Sequence, residues 1–258
     1  MVKRDELIDF IYQTIGKELL DKALQKDEVA NGIQFLGSEK VGVVTLGVSL
    51  NEEFLNEAVA LKSNFCIFHH GFDPRTWKSR FSSYAQKRLK VIFKNDLTVM
   101  GLHYALDAHP EIGNNAQIIK KLGAKIKSTL FDDWGFVATF DRKKDVHDLA
   151  HRCQEIFNHD ILLIAGNPEK IKTIGVVSGA AKPYDLEISE MEAKGVEVFI
   201  SGETSESTIH KMKESGISYL LCGHYATEKF GVQELGRKIE SKFKGKLRVE
   251  FIDIQNSI

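Results

Sequence analysis

Three short stretches of this chain carry the residue types that bind metals or move protons. They are His69-His70-Gly71, the run from His103 to Asp107 (HYALD), and Gly223-His224-Tyr225 with Glu228 (GHYATE). Each follows an apolar, strand-like run: FCIF, LTVMG and YLLC. In open α/β sheets, ligands bind beyond the carboxyl ends of strands. Imidazoles and carboxylates brought there from three separate stretches make the pattern of a metal or catalytic site. Adjacent histidines cannot face the same way on an extended chain, because successive side chains alternate. At a strand end they can instead serve two neighbouring ions, one each. His224 and Glu228 are four apart across a strand-to-helix turn, which puts a carboxylate in the first turn of the helix. Two ions need several neutral imidazoles and a carboxylate to bridge them and offset their charge. A small set of protein ligands leaves positions for water, as metal-assisted hydrolysis requires.

The remaining histidines read differently. His210 lies in IHKMKE, a charged helix whose face is solvated. His147 and His151 are four apart on an amphipathic helix (DVHDLAHRC) with no carboxylate-rich strand end beside them. His109, close to Asp107, is a candidate substrate contact. Cys66 and Cys222 precede their histidines within apolar strands and read as core.

The elements that must position these groups follow from hydrophobic period. The first twenty residues read as one amphipathic helix. Gly42 to Ser49 is a buried strand, Asn51 caps a helix, and Phe65 to Phe68 is a strand ending at His69-His70. A helix from Ser82 or Ser83 to Lys94 leads to a strand over Leu97 to Leu102. Asn114 to Leu122 is a helix stopped by Gly123. Beyond it, strands are expected at 136–140, 161–164, 174–177, 196–201, 219–222 and 247–252. Helices are expected at 146–157, 186–194, 206–214 and 227–243. The alternation predicts an α/β fold of two lobes, with mostly parallel or mixed sheets flanked by helices. The lobes are placed at residues 1–130 and 131–258, with the metal site in the cleft at strand carboxyl ends.

Composition narrows the class. The 258 residues carry a formal net charge of -1 and are 43% apolar, enough for a real core and with no electrostatic hold on nucleic acid. No apolar run approaches the roughly 18 residues of a membrane helix. The charged N-terminus lacks a signal-peptide pattern. Cys66, Cys153 and Cys222 read as reduced thiols of a cytoplasmic protein.

These motifs resemble the Nif-three-like dinuclear metal-centre family, whose members are described as GTP cyclohydrolase type-2 homologues. The likeness runs through FCIFHHG, GLHYALDAHPEIGNNAQIIKKLG, VFISGE, CGHYATEKFGVQELGRKI and FIDIQNSI. It implies that His69, His70, Asp107, His224 and Glu228 hold two divalent ions. Glu228 would bridge, His70 and Asp107 would complete one ion's ligands, and His69 and His224 the other's. His103 would lie near the site. Zn, Fe, Mn, Co and Ni all suit such donors. Tyr104 and Ala105 stand where the family often has threonine and asparagine, and Ser257 where proline often follows Asn256. The chain resembles the compact form that lacks an inserted domain, and the likeness implies a homohexamer.

The expected activity is metal-dependent hydrolysis, with opening of the guanine imidazole ring of GTP and release of formate. GTP or another nucleotide is the expected small-molecule substrate. Glu203, at the end of a strand (SGET), and His103 are the expected proton-handling residues. No glycine-rich phosphate loop accompanies them. A two-metal phosphoesterase and a non-enzymatic metal-binding regulatory protein are the alternatives.

Overall fold

The computed structural model describes residues 1–27, 31–73 and 80–258. In chain order its elements begin with β1 Val2–Lys3, α1 Arg4–Ile15, α2 Lys17–Lys26, β2 Asn31–Phe35, β3 Lys40–Val41, β4 Val43–Ser49, α3 Glu52–Ala60 and β5 Phe65–His70. There follow α4 Ser83–Lys94, β6 Thr98–Leu102, α5 Tyr104–Asp107, α6 Asn114–Leu122, β7 Lys125–Leu130, β8 Gly135–Asp145 and α7 Val146–Phe157. The chain ends with β9 Leu162–Ile164, β10 Lys170–Val176, α8 Asp185–Ala193, β11 Val198–Ser201, α9 Glu206–Ser215, β12 Ser218–Leu221, α10 His224–Lys242 and β13 Arg248–Phe251. The expected α/β architecture holds, with two mixed sheets flanked by helices.

Contacts divide the chain into two compact units, Met1–Leu106 with Gly231–Ile254, and Asp107–Phe230 with Gln255–Ile258. Both are discontinuous. The boundary expected near residue 130 falls at the end of β7, inside the second unit, where β7 pairs antiparallel with β8.

The first unit holds a five-stranded sheet ordered β13-β4-β5-β6-β2. β13, β4, β5 and β6 run parallel, and β2 closes the β6 edge antiparallel. Alternation decides its faces. Cys66 and Phe68 of β5 pack with Phe54, Leu55 and Ala58 of α3 and Ala85 and Ile92 of α4. Asn51 caps α3 as expected, its Oδ1 accepting from the Phe54 N–H at 2.8 Å. The single N-terminal helix expected from periodicity is two helices. They break at Gly16, whose φ of +89° a helix cannot contain.

The second unit holds a six-stranded sheet ordered β7-β8-β10-β11-β12-β9. β10, β11 and β12 are parallel at its centre; β8 and β9 flank them antiparallel. Val198, Ile200, Leu220 and Cys222 face α6 and α7. Phe199, Tyr219 and Leu221 face the opposite way, toward Ile188 and Met191 of α8 and Met212 of α9. Both faces are covered, which is why β11 and β12 read as continuous apolar runs instead of alternating ones. Four strands were not expected: β1 and β3 are two residues each and pair with one another, and β2 and β7 are polar edge strands whose periodicity is weak. Helix α10 begins at His224, three residues before the expected start. Cys66, Cys153 and Cys222 are buried and free.

Candidate metal centre

In the first unit, β5 and β6 lie side by side in parallel, Phe68 against Gly101. Their carboxyl ends therefore deliver His69, His70 and His103 to one place. The ring centroids stand 4.7 Å apart for His69 and His70, 4.8 Å for His69 and His103, and 5.3 Å for His70 and His103. One nitrogen of each ring lies within 4.8 Å of those of the other two. Three imidazole nitrogens grouped this closely form a set that could hold a cation.

The far nitrogens explain how the rings are held. His69 is fully buried, and its Nδ1–H donates to the Leu102 carbonyl at 3.0 Å. That bond fixes the proton on Nδ1 and leaves Nε2 with its lone pair, the arrangement of a metal-ligating histidine with an outer partner. His70 Nδ1 lies 3.0 Å from Ser49 Oγ. His103 Nδ1 lies 2.8 Å from Asp27 Oδ2. After the double histidine the chain passes so close to Gly101 and Gln34 that a Cβ at Gly71 would stand 2.3 Å from Gln34 Oε1. That same oxygen accepts from the Phe72 N–H at 2.7 Å and anchors the turn.

In the second unit, His224 and Glu228 lie one turn apart on α10, with Nε2 and Oε2 3.0 Å apart. Glu228 is 2% exposed. One of its oxygens also lies within 4.8 Å of a carboxylate oxygen of Asp107, itself buried. Glu228 thus stands between His224 and Asp107. Two buried carboxylates this close repel one another, and a cation is the ordinary compensation. Asp107 Oδ1 accepts from Asn114 Nδ2 at 2.9 Å and Ser178 Oγ at 2.8 Å. Asn115 bonds both the Asp107 carbonyl and the Ser178 N–H, locking the two segments together.

His224 is held from behind. Its Nδ1 lies 2.5 Å from Glu203 Oε1, while Glu203 Oε2 pairs with Lys182 Nζ at 2.7 Å. Burial works to lower the His224 pKa, but Glu228 and Glu203 outweigh it and push it up to about 9. The surroundings favour positive charge at Nε2, whether a proton or a metal ion supplies it. Burial works to raise the Glu203 pKa, but hydrogen bonds from Lys182 and His224 bring it below the usual range.

The backbone of the second unit is fitted around Glu228. Gly179 has a φ of +68°, and a Cβ there would meet Glu228 Oε1. A Cβ at Gly202 would stand 2.6 Å from the Gly179 carbonyl and 2.7 Å from His224 Cα. Thr227 Oγ1 accepts from the Gly179 N–H at 3.0 Å and fixes that loop against α10.

The other histidines have structural settings. His210 is exposed and pairs with Glu206 at 3.0 Å. His147 and His151 are exposed on α7. His109 Nδ1 accepts from the Glu111 and Ile112 N–H groups, which caps its own turn. Sequence reasoning did not single out Asp27, Asn31, Ser178, Gly179 or Lys182. None carries a local motif, and each acquires its role from a residue far away in the chain.

The profile of the DUF34/NIF3 (NGG1p interacting factor 3) family matches residues 3–257. The chain belongs to this family. It is 34% identical over 245 residues to a protein of Buchnera aphidicola subsp. Acyrthosiphon pisum described as "GTP cyclohydrolase 1 type 2 homolog", covering 94% of this chain and 96% of that one. A protein of Pseudomonas aeruginosa with the same description is 32% identical, over 92% of this chain and 93% of its own. Among solved structures, the protein ybgI, described as of unknown function, superposes with a TM-score of 0.88 at 30% identity, each chain fully covered. This DUF34/NIF3 chain thus matches these relatives over nearly their whole length. Among its described residues, no helix is long and apolar enough to cross a membrane.

Proposed function

We propose that this DUF34/NIF3 chain holds two divalent metal ions through His69, His70, Asp107, His224 and Glu228, and is a hydrolase that uses them. The observation that carries this reading is the placing of Glu228, buried and within ligand distance of both His224 and Asp107. The converging imidazoles of His69, His70 and His103 support it from the first unit. The donors are neutral nitrogens and carboxylate oxygens, a set that suits Zn, Fe, Mn, Co or Ni. Bound there, such ions would supply Lewis acidity and lower the pKa of water.

The chain's own groups do the rest. Leu102 and Glu203 aim His69 and His224 by holding their Nδ1 atoms. Glu203 is ionised at neutral pH, and both its oxygens are engaged. Any proton role it has is as an acceptor, not a donor. His103 is the better-placed group for handling a proton beside the imidazole cluster. GTP is the proposed substrate, opened in its imidazole ring with loss of formate. The naming of the relatives supports that choice. A cytoplasmic homohexamer is the proposed form of the protein.

The test begins with elemental analysis of protein purified without chelator, expecting two ions per chain. Incubation with GTP and Mn, Zn or Fe is then expected to release formate. Protein with two ions per chain that releases no formate, but frees a phenol from a generic phosphodiester, would reassign the chemistry to phosphoester hydrolysis. Protein that never retains metal would end the reading.

A further inference from the structure

Asp27 stands at the end of α2, 76 residues from His103 in sequence. Its side chain is 4% exposed. Three donors converge on its Oδ2: His103 Nδ1 at 2.8 Å, the Tyr104 N–H at 3.0 Å and Asn31 Nδ2 at 2.8 Å. The orientation of the Asn31 amide is settled independently. Its Oδ1 accepts from the Ala105 N–H at 2.9 Å, so its nitrogen must be the end facing Asp27. A backbone N–H and an amide NH2 can only donate, which makes Oδ2 an acceptor. An ionised aspartate is acceptor-only, so His103 donates the remaining contact.

We propose that Asp27 is a positioning residue. It holds the His103 imidazole with its proton on Nδ1 and turns the lone pair of Nε2 toward His69 and His70, so that His103 adds a third neutral nitrogen to that cluster. Asp27 and Asn31 grip His103, Tyr104 and Ala105 together, and the turn leading to α5 is pinned at three successive residues. The neighbouring ring is set the same way, since His69 donates from Nδ1 to the Leu102 carbonyl. Two rings whose outer nitrogens both carry protons present two inner lone pairs to one point. A carboxylate behind a histidine also raises its basicity as a ligand. The role of this cluster as a metal site rests on the proposed function. The tautomer does not.

The experiment is nitrogen NMR of chelator-stripped protein labelled in its imidazoles, with His103 assigned by loss of its signals in His103→Gln. Wild type is expected to show His103 protonated on Nδ1. An Nε2-protonated ring in wild type would overturn the proposal without any variant of Asp27. Asp27→Ala is expected to lose the Nδ1 tautomer, with folding checked by circular dichroism. Asp27→Asn keeps an acceptor oxygen in place and is expected to retain it. Titration with manganese alone should show roughly 10- to 100-fold weaker binding for the alanine variant. A shifted tautomer with unchanged manganese affinity would overturn the link to the cluster. A shifted tautomer in a protein whose wild type binds neither manganese nor zinc would leave Asp27 as proposed and sink the metal reading instead.

Discussion

A Cβ at Gly179 would stand 2.0 Å from Glu228 Oε1. The glycine of the loop after β10 and the carboxylate on α10 are packed so that only hydrogen fits between them. Gly179→Ala must therefore displace Glu228, and it also adds a side chain at a φ of +68°, which costs about 1 kcal/mol or more. The expected result is a folded protein with a modestly lower melting temperature and less than two ions per chain. Full metal content by elemental analysis would show that Glu228 is not held where the ligand role needs it.

Glu228→Ala is the sharper test of the same carboxylate. It removes the group shared by His224 and Asp107, and both ions should be lost. His210→Ala, on the exposed face of α9, should leave metal content unchanged. Plasma mass spectrometry of the two variants side by side gives the comparison. Two ions retained by the first, or metal lost by the second, would reverse the assignment of the late ligands.

Glu203→Ala leaves His224 Nδ1 and Lys182 Nζ without the carboxylate that joins them. Metal affinity is expected to fall roughly 10- to 100-fold, the usual penalty for losing an outer partner of a ligating histidine. Glu203→Gln keeps a hydrogen-bond acceptor and should recover much of it. Competition titration against a chromogenic chelator measures both.

Alkaline pH should weaken the fold through Cys66. Burial raises its thiol pKa to about 11 from an ordinary 9, against smaller opposing contacts from Thr45 and Ser63. A raised folded-state pKa contributes stability that is complete below pH 9 and is lost as pH rises through about 11. Two pH units of window correspond to about 3 kcal/mol at most. Urea midpoints should fall across that window in wild type and fall less steeply in Cys66→Ala. A wild-type midpoint flat from pH 8 to pH 11 would show that the thiol is not sealed from water.

Hydrophobic period marked the buried strands and most helices, and turn chemistry marked several helix starts and stops. The cap at Asn51, the stop at Gly123 and the helix over 146–157 are all local effects, so a linear reading reaches them. The same holds for the histidines at the ends of β5 and β6 and for His224 and Glu228, since one helical turn relates the last two. Edge strands β2 and β7 escaped because one polar strand with few buried residues carries little period. Which strands become neighbours was not legible either. β13 joins β4 across some two hundred residues, and nothing in a period of two names a partner.

By itself, then, the sequence determined the residue types of the candidate centre and the strand ends that carry them. Only the tertiary structure decided what stands behind each ring and carboxylate: Asp27 at His103, Leu102 at His69, Glu203 and Lys182 at His224, Asn114 and Ser178 at Asp107. The reason is physical. A ligand's type is a property of one residue and its local backbone, whereas its aim depends on a hydrogen bond to a group that chain folding brings from far away. Short-range spacing encodes the first and carries no information on the second.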